Sequence, residues 1–293
     1  MEVKTINKII SIQIPEEMID KFLKKLKRSD DIVILKTKNK YEVFRGRIND
    51  KSIVIYSSGK IVVPNLDQIK QKIERILHRI SPQEHEVITI GSDEAGKGEI
   101  LGPLVVASVA LNHKQNIFLR SQGVMDSKNL SLSRVKDLSS IIKKNSLTNG
   151  IVLISPVRFN QLFREFKDEG KSLNDLLAWA HAKAIKQAFL ELKDNDRKKL
   201  DKIIVDEFSK VITEIRVNRE LDRSLYNLIQ QPHADIDFIS VAASSILAKN
   251  ERENWIITKS KQIGMKLTNK SIDEILKRKD ANELGKIVYK IRK

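Results

Sequence analysis

Two acidic residues, Asp93 and Glu94, stand side by side shortly after the apolar stretch 87–90, from which Gly91 and Ser92 separate them. They are followed by the turn 96–98, which reads Gly-Lys-Gly. Adjacent carboxylates repel each other unless a cation neutralises them, and glycines let the backbone of a polyanion come close. The pattern therefore indicates a divalent metal ion and a phosphate at one place. Taken alone, the stretch is more typical of a buried strand that ends in a polar glycine turn.

Asp206 has the same setting, because it follows the short apolar strand 203–205. In open α/β sheets the functional site lies at the carboxyl ends of the strands, so Asp93 and Asp206 are expected to converge there. Strand alternation would send Asp93 and Glu94 to opposite faces. We therefore expect Glu94 to lie already on the turn if both serve one site. An ordinary turn or helix-capping role is the alternative for Asp206.

A fourth carboxylate lies ahead of the small-residue helix 238–249, where Asp235 and Asp237 compete. Either one could simply satisfy the helix N-terminus, and composition does not choose between them. Four carboxylates in a chain without cysteine suit hard cations such as Mg²⁺ or Mn²⁺. Two such ions could activate a water and stabilise the leaving oxygen of a phosphodiester, with Asp93 bridging them. The five histidines show no His-x-x-x-His spacing, which disfavours zinc.

The elements that must position these residues alternate between strand and helix from residue 87 onward, which predicts an α/β domain. The predicted strands are 87–91, 104–111, 150–154 and 202–205. The predicted helices are 131–144, 157–167, 172–192 and 238–249, followed by a basic helical region that runs to Lys293.

Residues 1–80 show a different pattern, in the order strand, helix, four short strands, helix. The predicted elements are a strand at 6–14, helices at 16–28 and 66–80, and strands that begin near 32, 41, 52 and 60. This order predicts a small α+β domain with an antiparallel sheet. The polar stretch 81–86 contains a proline and is interpreted as the linker to a second domain, 87–293.

The chain of 293 residues has 54 Lys and Arg against 38 Asp and Glu, a formal net charge of +16. Residues 1–85 hold 18 basic and 11 acidic residues, and residues 249–293 hold 13 and 6. Basic flanks around a balanced centre favour a nucleic-acid partner, although a generally lysine-rich proteome is the alternative. The absence of cysteine excludes disulfides and fits a reducing cytoplasm. No secretory leader and no run of about 18 apolar residues is seen, so we expect a cytoplasmic monomer without a membrane span.

Four blocks of the sequence, in order, resemble the type 2 ribonuclease H family. The first is Asp93-Glu-Ala-Gly-Lys-Gly98 with Gly102-Pro-Leu-Val-Val-Ala107. The others are Asp126-Ser-Lys-Asn-Leu-Ser131, Ile204-Val-Asp206 and Ala242-Ala-Ser-Ser-Ile-Leu-Ala-Lys249. Together they extend over most of the predicted second domain.

The resemblance implies roles for individual residues. In this family the fourth carboxylate lies ten residues before the serine that precedes Ile-Leu-Ala-Lys, which is Ser245 here and selects Asp235 over Asp237. The implied catalytic and metal-binding residues are Asp93, Glu94, Asp206 and Asp235. The implied nucleic-acid contacts are Gly96, Lys97, Gly98, Ser127, Lys128 and Asn174. His181, two helical turns after Asn174, is interpreted either as a partner of the site or as a core histidine.

Within the family the chain resembles ribonuclease HIII, whose N-terminal domain is similar to half of a TATA-box-binding protein. Tyr56-Ser-Ser-Gly-Lys-Ile-Val-Val63 and Ser172-Leu-Asn-Asp-Leu-Leu-Ala-Trp-Ala-His-Ala-Lys-Ala184 carry this likeness. The implied fold is an α/β ribonuclease H-like catalytic domain, a mixed sheet flanked by helices, preceded by a small α+β TATA-binding-protein-like domain. Two features depart from the pattern: Asp235 replaces the usual glutamate, as in ribonuclease HII, and residues 263–293 match neither group.

The resemblance implies an Mg²⁺- or Mn²⁺-dependent endoribonuclease, with two ions per site, that cuts the RNA strand of RNA–DNA hybrids. The products would carry 5′-phosphate and 3′-hydroxyl ends. Two alternatives stay open at this point. One is ribonuclease HII-like cleavage at single ribonucleotides in duplex DNA, and the other is a nucleic-acid-binding protein without catalysis.

Overall fold

The computed structural model describes residues 9–29, 31–64, 66–80, 87–124, 130–268 and 272–288. The chain divides into two compact units. The first unit comprises Met1–His85 with Asn116–Val124, and the second comprises Glu86–Gln115 with Met125–Lys293. The predicted linker at 81–86 lies outside the described residues.

The first unit contains a five-stranded antiparallel sheet and two helices that cover one of its faces. The strands are β1 (Ile9–Gln13), β2 (Ile32–Leu35), β3 (Glu42–Ile48), β4 (Lys51–Tyr56) and β5 (Lys60–Pro64), and the helices are α1 (Ile19–Leu26) and α2 (Asp67–Ile80). The spatial order of the strands is β1-β5-β4-β3-β2. The predicted sequence of strand, helix, four strands and helix is therefore confirmed within the described residues.

Alternation along β3 shows why only one face of this sheet is covered. Phe44 and Ile48 are buried, whereas Val43 and Arg47 are exposed. The buried residues belong to a core formed with the apolar stripes of α1 and α2, in which Phe22 is fully buried. A half-buried antiparallel sheet of this kind leaves its second face to solvent or to a partner.

A helix that the sequence patterns did not predict, α3 (His113–Ser121), belongs to the first unit from Asn116 onward. Its Ile117 packs against the core of that unit, and Nη1 of Arg120 donates to the Gln13 carbonyl at 3.1 Å. The helix was missed because its apolar residues, 117–119, are consecutive and form no amphipathic period.

The second unit is built on a mixed five-stranded sheet with long helices on both faces. Its strands are β6 (Ile88–Ala95), β7 (Leu104–Asn112), β8 (Thr148–Ile154), β9 (Leu200–Asp206) and β10 (Asn227–Gln231). Its helices from residue 130 onward are α4 (Leu132–Asn145), α5 (Pro156–Asp168), α6 (Leu173–Leu190), α7 (Asp194–Arg197), α8 (Lys210–Glu220), α9 (Ala234–Asp237), α10 (Ile239–Ile263), α11 (Ile272–Leu276) and α12 (Ala281–Leu284). The strand order is β10-β9-β6-β7-β8. β6, β9 and β10 run parallel, while β7 and β8 pair antiparallel.

Two neighbouring residues of β6 show that α10 and α6 cover opposite faces of this sheet. A Cβ atom on Gly91 would stand 2.2 Å from the carbonyl carbon of Ser240 in α10. The hydroxyl of Ser92, the next residue, lies 2.8 Å from Nδ1 of His181 in α6. Because successive strand residues point to opposite faces, β6 is sandwiched between the two helices.

Several predicted boundaries were wrong. The strand predicted at 87–91 continues to Ala95, because β7 pairs with it through Asp93↔Ala107 and Glu94↔Val106 and supplies the backbone partners. The helix predicted at 238–249 runs on to Ile263, where Gly264 ends it in the left-handed conformation with φ of 65°. Helix α8 and strand β10 were not predicted.

The predicted basic helical ending is also wrong in extent, because the described part after α10 contains only the short α11 and α12. Across the described ranges, no helix is long and apolar enough to cross a membrane.

We predict that Gly91→Ala destabilises the second unit by about 1–3 kcal/mol, because the added methyl group would collide with the backbone of α10. Gly98→Ala is the matched control, since a Cβ at that position meets nothing within 4 Å. Chemical denaturation of the two variants tests this. Equal free energies of unfolding would show that β6 and α10 do not pack as closely as described.

Candidate active site

The strand ends bring the predicted carboxylates to one edge of the second sheet. β6 and β9 are parallel neighbours with Ser92 opposite Val205, so Asp93 and Asp206 follow at the same level. Asp235 comes from α9, which follows the next parallel strand, β10. The convergence expected from strand topology is present.

A cavity of about 360 Å³ lies at this edge. Its lining residues are Asp93, Glu94, Ala95, Gly96, Glu99, Asp206, Asp235, Ser245, Lys249, Arg252 and Glu253. All four predicted carboxylates therefore reach one space.

Asp93 is buried at the end of β6 and is 8% exposed. Burial raises the pKa of Asp93 well above its usual range, and the nearby charges of Glu94 and Asp206 raise it further. Hydrogen bonds from the Ser245 side chain and from the Glu94 backbone oppose this rise without cancelling it. An ionised Asp93 therefore needs a cation beside it.

Glu94 belongs to β6 and not to a turn, so the expectation that it had to leave the strand was wrong. It faces α6, where Nε2 of His181 lies 3.1 Å from its Oε2, and Nζ of Lys97 lies 3.4 Å from its Oε1. Burial opposes ionisation of Glu94, but the hydrogen bond and charge of His181, together with Lys97, outweigh it and hold the pKa of Glu94 below its usual range.

His181 is fully buried and connects Glu94 to a polar chain inside the sheet. Its Nδ1 meets the hydroxyl of Ser92 at 2.8 Å, and Ser108 donates to that hydroxyl at 2.9 Å. This chain orients the imidazole toward Glu94. Of the two interpretations of His181, the structure supports the partner of the site.

Asp206 and Asp235 differ in how their oxygens are used. Oδ1 of Asp206 accepts the backbone N–H of Ala234 at 3.0 Å. Asp235 is 5% exposed, and its Oδ1 has no hydrogen-bond partner among the described residues. Asp237 instead accepts a hydrogen bond from Gln231 and does not line the cavity.

The chemistry of these carboxylate oxygens suits a hard cation. A buried carboxylate oxygen without a donor is costly unless another group satisfies it, and an all-oxygen set is what Mg²⁺ and Mn²⁺ prefer. Within the part of the chain that the structure describes, however, no three Asp, Glu or His side chains already stand close enough to hold an ion. The side chains would have to close around it.

The glycine turn borders the same cavity. Gly96 has φ of 87°, and a Cβ there would stand 2.4 Å from the Pro103 carbonyl oxygen, so only glycine fits. Lys97 extends over the ring of Phe208, 4.9 Å from its centroid. Gly98 lies beside the cavity without lining it.

The other predicted contacts fall elsewhere. Ser127 and Lys128 lie outside the described residues. Asn174 lies in the first turn of α6 and does not line the cavity, so its contact with nucleic acid stays a prediction.

The sequence patterns missed Arg252, which lines the cavity together with Ser245 and Lys249. These three residues are four and then three apart on α10, so they share one helix face. The signal was present, because no glycine or proline interrupts the sequence between Lys249 and Gly264. Because the helix was predicted to end at Lys249, Arg252 fell outside it and was missed.

Comparison with known sequences identifies the family. Residues 90–287 match the sequence model of the family described as ribonuclease HII. The chain belongs to this family of type 2 ribonucleases H. A ribonuclease HIII of Protochlamydia amoebophila is 31% identical over 280 residues, which are 89% of this chain and 87% of that protein. A ribonuclease HIII of Streptococcus thermophilus is 29% identical over 73% of this chain and 71% of its own length.

Solved structures of the family agree in fold. Bst-RNase HIII, crystallised in complex with Mn²⁺, superposes with a TM-score of 0.60 over 96% of each chain at 20% identity. The RNase HII of Archaeoglobus fulgidus, solved as a complex with PCNA, gives a TM-score of 0.53 at 29% identity, covering 70% of this chain and 95% of that one. The mixed sheet flanked by helices is therefore the ribonuclease H-like fold.

We predict that His181→Ala lowers the ribonuclease activity of the folded protein about 10- to 100-fold, the usual cost of removing a side chain that orients a metal ligand. Loss of the His181 hydrogen bond also raises the pKa of Glu94, so the acidic limb of the pH–activity profile moves to higher pH. His181→Gln, which keeps a donor, should recover part of the activity. An unchanged rate and pH profile in His181→Ala would contradict the role of His181.

Proposed function

We propose that this protein is an endoribonuclease that hydrolyses the RNA strand of RNA–DNA hybrids and leaves 5′-phosphate and 3′-hydroxyl ends. The observation that carries the proposal is the meeting of Asp93, Glu94, Asp206 and Asp235 in one cavity of a chain that belongs to the type 2 ribonucleases H. The relatives named ribonuclease HIII support the same activity.

Asp93, Glu94, Asp206 and Asp235 would hold the divalent ions, Mg²⁺ or Mn²⁺, and the proposed number is two per site. When bound, such ions supply an activated water and stabilise the oxygen that leaves phosphorus. The Mn²⁺ in Bst-RNase HIII supports a divalent metal. The Asp235 oxygen that lacks a hydrogen-bond partner among the described residues and the raised pKa of Asp93 support the assignment within this chain.

The remaining residues of the site orient the carboxylates and contact the substrate. His181 and Lys97 keep Glu94 ionised and fixed in direction. The Gly96–Gly98 backbone, which is exposed at Gly98, would meet the 2′-hydroxyl that distinguishes RNA from DNA. Lys97, and Lys128 from outside the described residues, would contact phosphates.

We further propose that the first unit holds the substrate and has the TATA-binding-protein-like fold. Its uncovered sheet face carries the exposed basic residues Arg47 and Lys60 beside the exposed apolar Val43. Contacts to phosphates provide affinity without reading sequence. Domain limits at 1–80 and 87–293 remain part of this proposal.

We predict that Asp235→Asn abolishes cleavage of a hybrid while Asp237→Asn retains it. Only Asp235 lines the cavity, whereas Asp237 is engaged by Gln231 at the surface. Gel-based cleavage assays of both variants, with binding measured in parallel, test this. Activity in Asp235→Asn together with loss in Asp237→Asn would reverse the assignment.

We predict that the double variant Arg47→Gln with Lys60→Gln raises KM for the hybrid and leaves kcat unchanged. Each phosphate contact contributes about 0.9 to the slope of log Kd against log salt, so the slope should fall by about two. The matched control is Lys24→Gln with Lys25→Gln, which removes two exposed charges from α1 on the covered side. Point variants are preferable to truncation, because Asn116–Val124 belongs to the same unit as residues 1–85. Equal salt-dependence slopes in the wild type, the Arg47/Lys60 variant and the Lys24/Lys25 control would contradict substrate holding by the uncovered face.

A second candidate function is ribonuclease HII-like cleavage at single ribonucleotides in duplex DNA. Its support is the aspartate at position 235, where ribonuclease HIII usually has glutamate. A cleavage assay with a long hybrid and with a duplex that contains one ribonucleotide, each in Mg²⁺ and in Mn²⁺, separates the two. Preferential cutting of the hybrid supports the main proposal, and preferential cutting of the single-ribonucleotide duplex supports the second. Hybrid binding without turnover in either metal would contradict both.

A further inference from the structure

The C-terminal segment, defined here as residues 284–288, lies across the glycine loop, residues 96–103. The Gly102 N–H donates to the Leu284 carbonyl at 2.9 Å, and the Lys286 N–H donates to the Ile100 carbonyl at 2.7 Å. Between them, Leu101 and Gly285 form an antiparallel bridge. The loop therefore takes part of its backbone hydrogen bonding from a segment nearly two hundred residues later in the chain.

The side chain of Lys286 adds a further contact with the glycine loop. It is fully buried, its Nζ donates to the Gly102 carbonyl at 2.9 Å, and it lies 5.7 Å from the centroid of the Phe159 ring. A buried lysine is expensive unless its amine is satisfied. A lysine placed at the loop backbone, away from the solvent, is not a phosphate contact.

Burial, followed by the charge of Arg252, lowers the pKa of Lys286 to about 7, although Glu99 acts in the opposite direction. Near neutral pH the amine is thus close to losing its proton. A neutral amine still donates to a carbonyl oxygen, so the bond to Gly102 does not depend on the charge.

Arg252 of α10 makes a second side-chain contact with the glycine loop. Its Nη2 donates to the Leu101 carbonyl at 3.1 Å, and its guanidinium also pairs with Glu99 at 2.5 Å. A Cβ on Gly96 would stand 3.0 Å from its Nε. The loop, whose Gly96 and Gly102 both have positive φ, is therefore held by two side-chain donors, Arg252 at the Leu101 carbonyl and Lys286 at the Gly102 carbonyl.

The C-terminal segment is itself anchored by Asn160 of α5. Its Nδ2 donates to the Gly285 carbonyl at 2.9 Å, and its Oδ1 accepts the Val288 N–H at 3.3 Å. Asn160 is 1% exposed. The backbone on both sides of Lys286 is therefore fixed, and the Lys286 side chain cannot move away from the loop without breaking these bonds.

We propose that Lys286 is a positioning residue that sets the backbone shape of the glycine loop and thereby the preference for ribose over deoxyribose. The inference rests on the proposed function, in which this loop meets the 2′-hydroxyl. Only a loop held to within a few tenths of an ångström can align a backbone group with one hydroxyl group, since hydrogen bonds weaken steeply with distance and angle.

The test compares binding of an RNA–DNA hybrid with binding of a DNA duplex of the same sequence. All proteins carry Asp93→Asn so that the hybrid stays intact. Lys286→Met, which removes the donor and keeps the bulk, should reduce the preference for the hybrid roughly five- to tenfold, the value of one misplaced hydrogen bond. Measurement below the unfolding temperature of each variant separates this from a loss of stability, which would not change the ratio of the two affinities.

Lys279→Met is the matched control, since Lys279 is an exposed lysine close to the same segment. Its loss would weaken both duplexes equally if it contacts phosphate, and the ratio should stay at the parent value. If Lys286→Met does not fold, Asn160→Ser loosens the segment at Gly285 and Val288 and should lower the ratio in the same direction.

Two results would overturn the inference in distinguishable ways. If the Asp93→Asn parent binds both duplexes equally, ribose recognition by the loop is wrong and the proposed function loses its basis for selectivity. In the second case the parent prefers the hybrid, and Lys286→Met keeps the full preference. Where Lys286→Met is unfolded, the same result in Asn160→Ser counts instead. The proposed function then stands, and the proposed role of Lys286 is wrong.

Discussion

The burial of Asp93, together with repulsion from the carboxylates beside it, is the constraint on which the rest of the site depends. Asp93 is almost inaccessible to water, and both Glu94 and Asp206 act on it with the same sign of charge. Without compensation such a cluster would take up protons and be useless to a cation at neutral pH. The neighbouring elements of the second unit can be understood by how they offset this cost.

Alternation along β6 divides the two adjacent carboxylates between two helices. Asp93 faces α10 and receives a hydrogen bond from Ser245, while Glu94 faces α6 and receives one from His181. The pKa shifts of the two groups are therefore opposite in direction. The close approach of α10, which requires Gly91, and the polar chain behind His181 serve the same purpose.

Much of this arrangement could be predicted from the sequence. Asp93 and Asp206 each follow an apolar strand, and the rule for carboxyl ends of parallel strands brings them together. Asp235 could not be separated from Asp237 by composition, and only the family spacing did so.

The expectation that Glu94 lies on the turn was wrong, because a local pattern cannot show that β7 pairs with β6 beyond the apolar run. Lys286 was equally hidden, since its role comes from a contact with a loop far away in sequence. Arg252 was hidden only by a helix boundary placed too early.

Thermal unfolding of the wild-type protein and of Asp93→Asn, each with and without Mn²⁺, tests this account most directly. If burial and charge crowding make the ionised form of Asp93 unfavourable, metal-free Asp93→Asn unfolds at a higher temperature than the wild type at pH 8, because the raised pKa of Asp93 makes its ionised form destabilising there. Mn²⁺ should then stabilise the wild type, by about 3 kcal/mol at roughly a hundred times its Kd, and leave the variant nearly unchanged. A variant that is less stable than the wild type without metal, and that gains equally from Mn²⁺, would contradict the account.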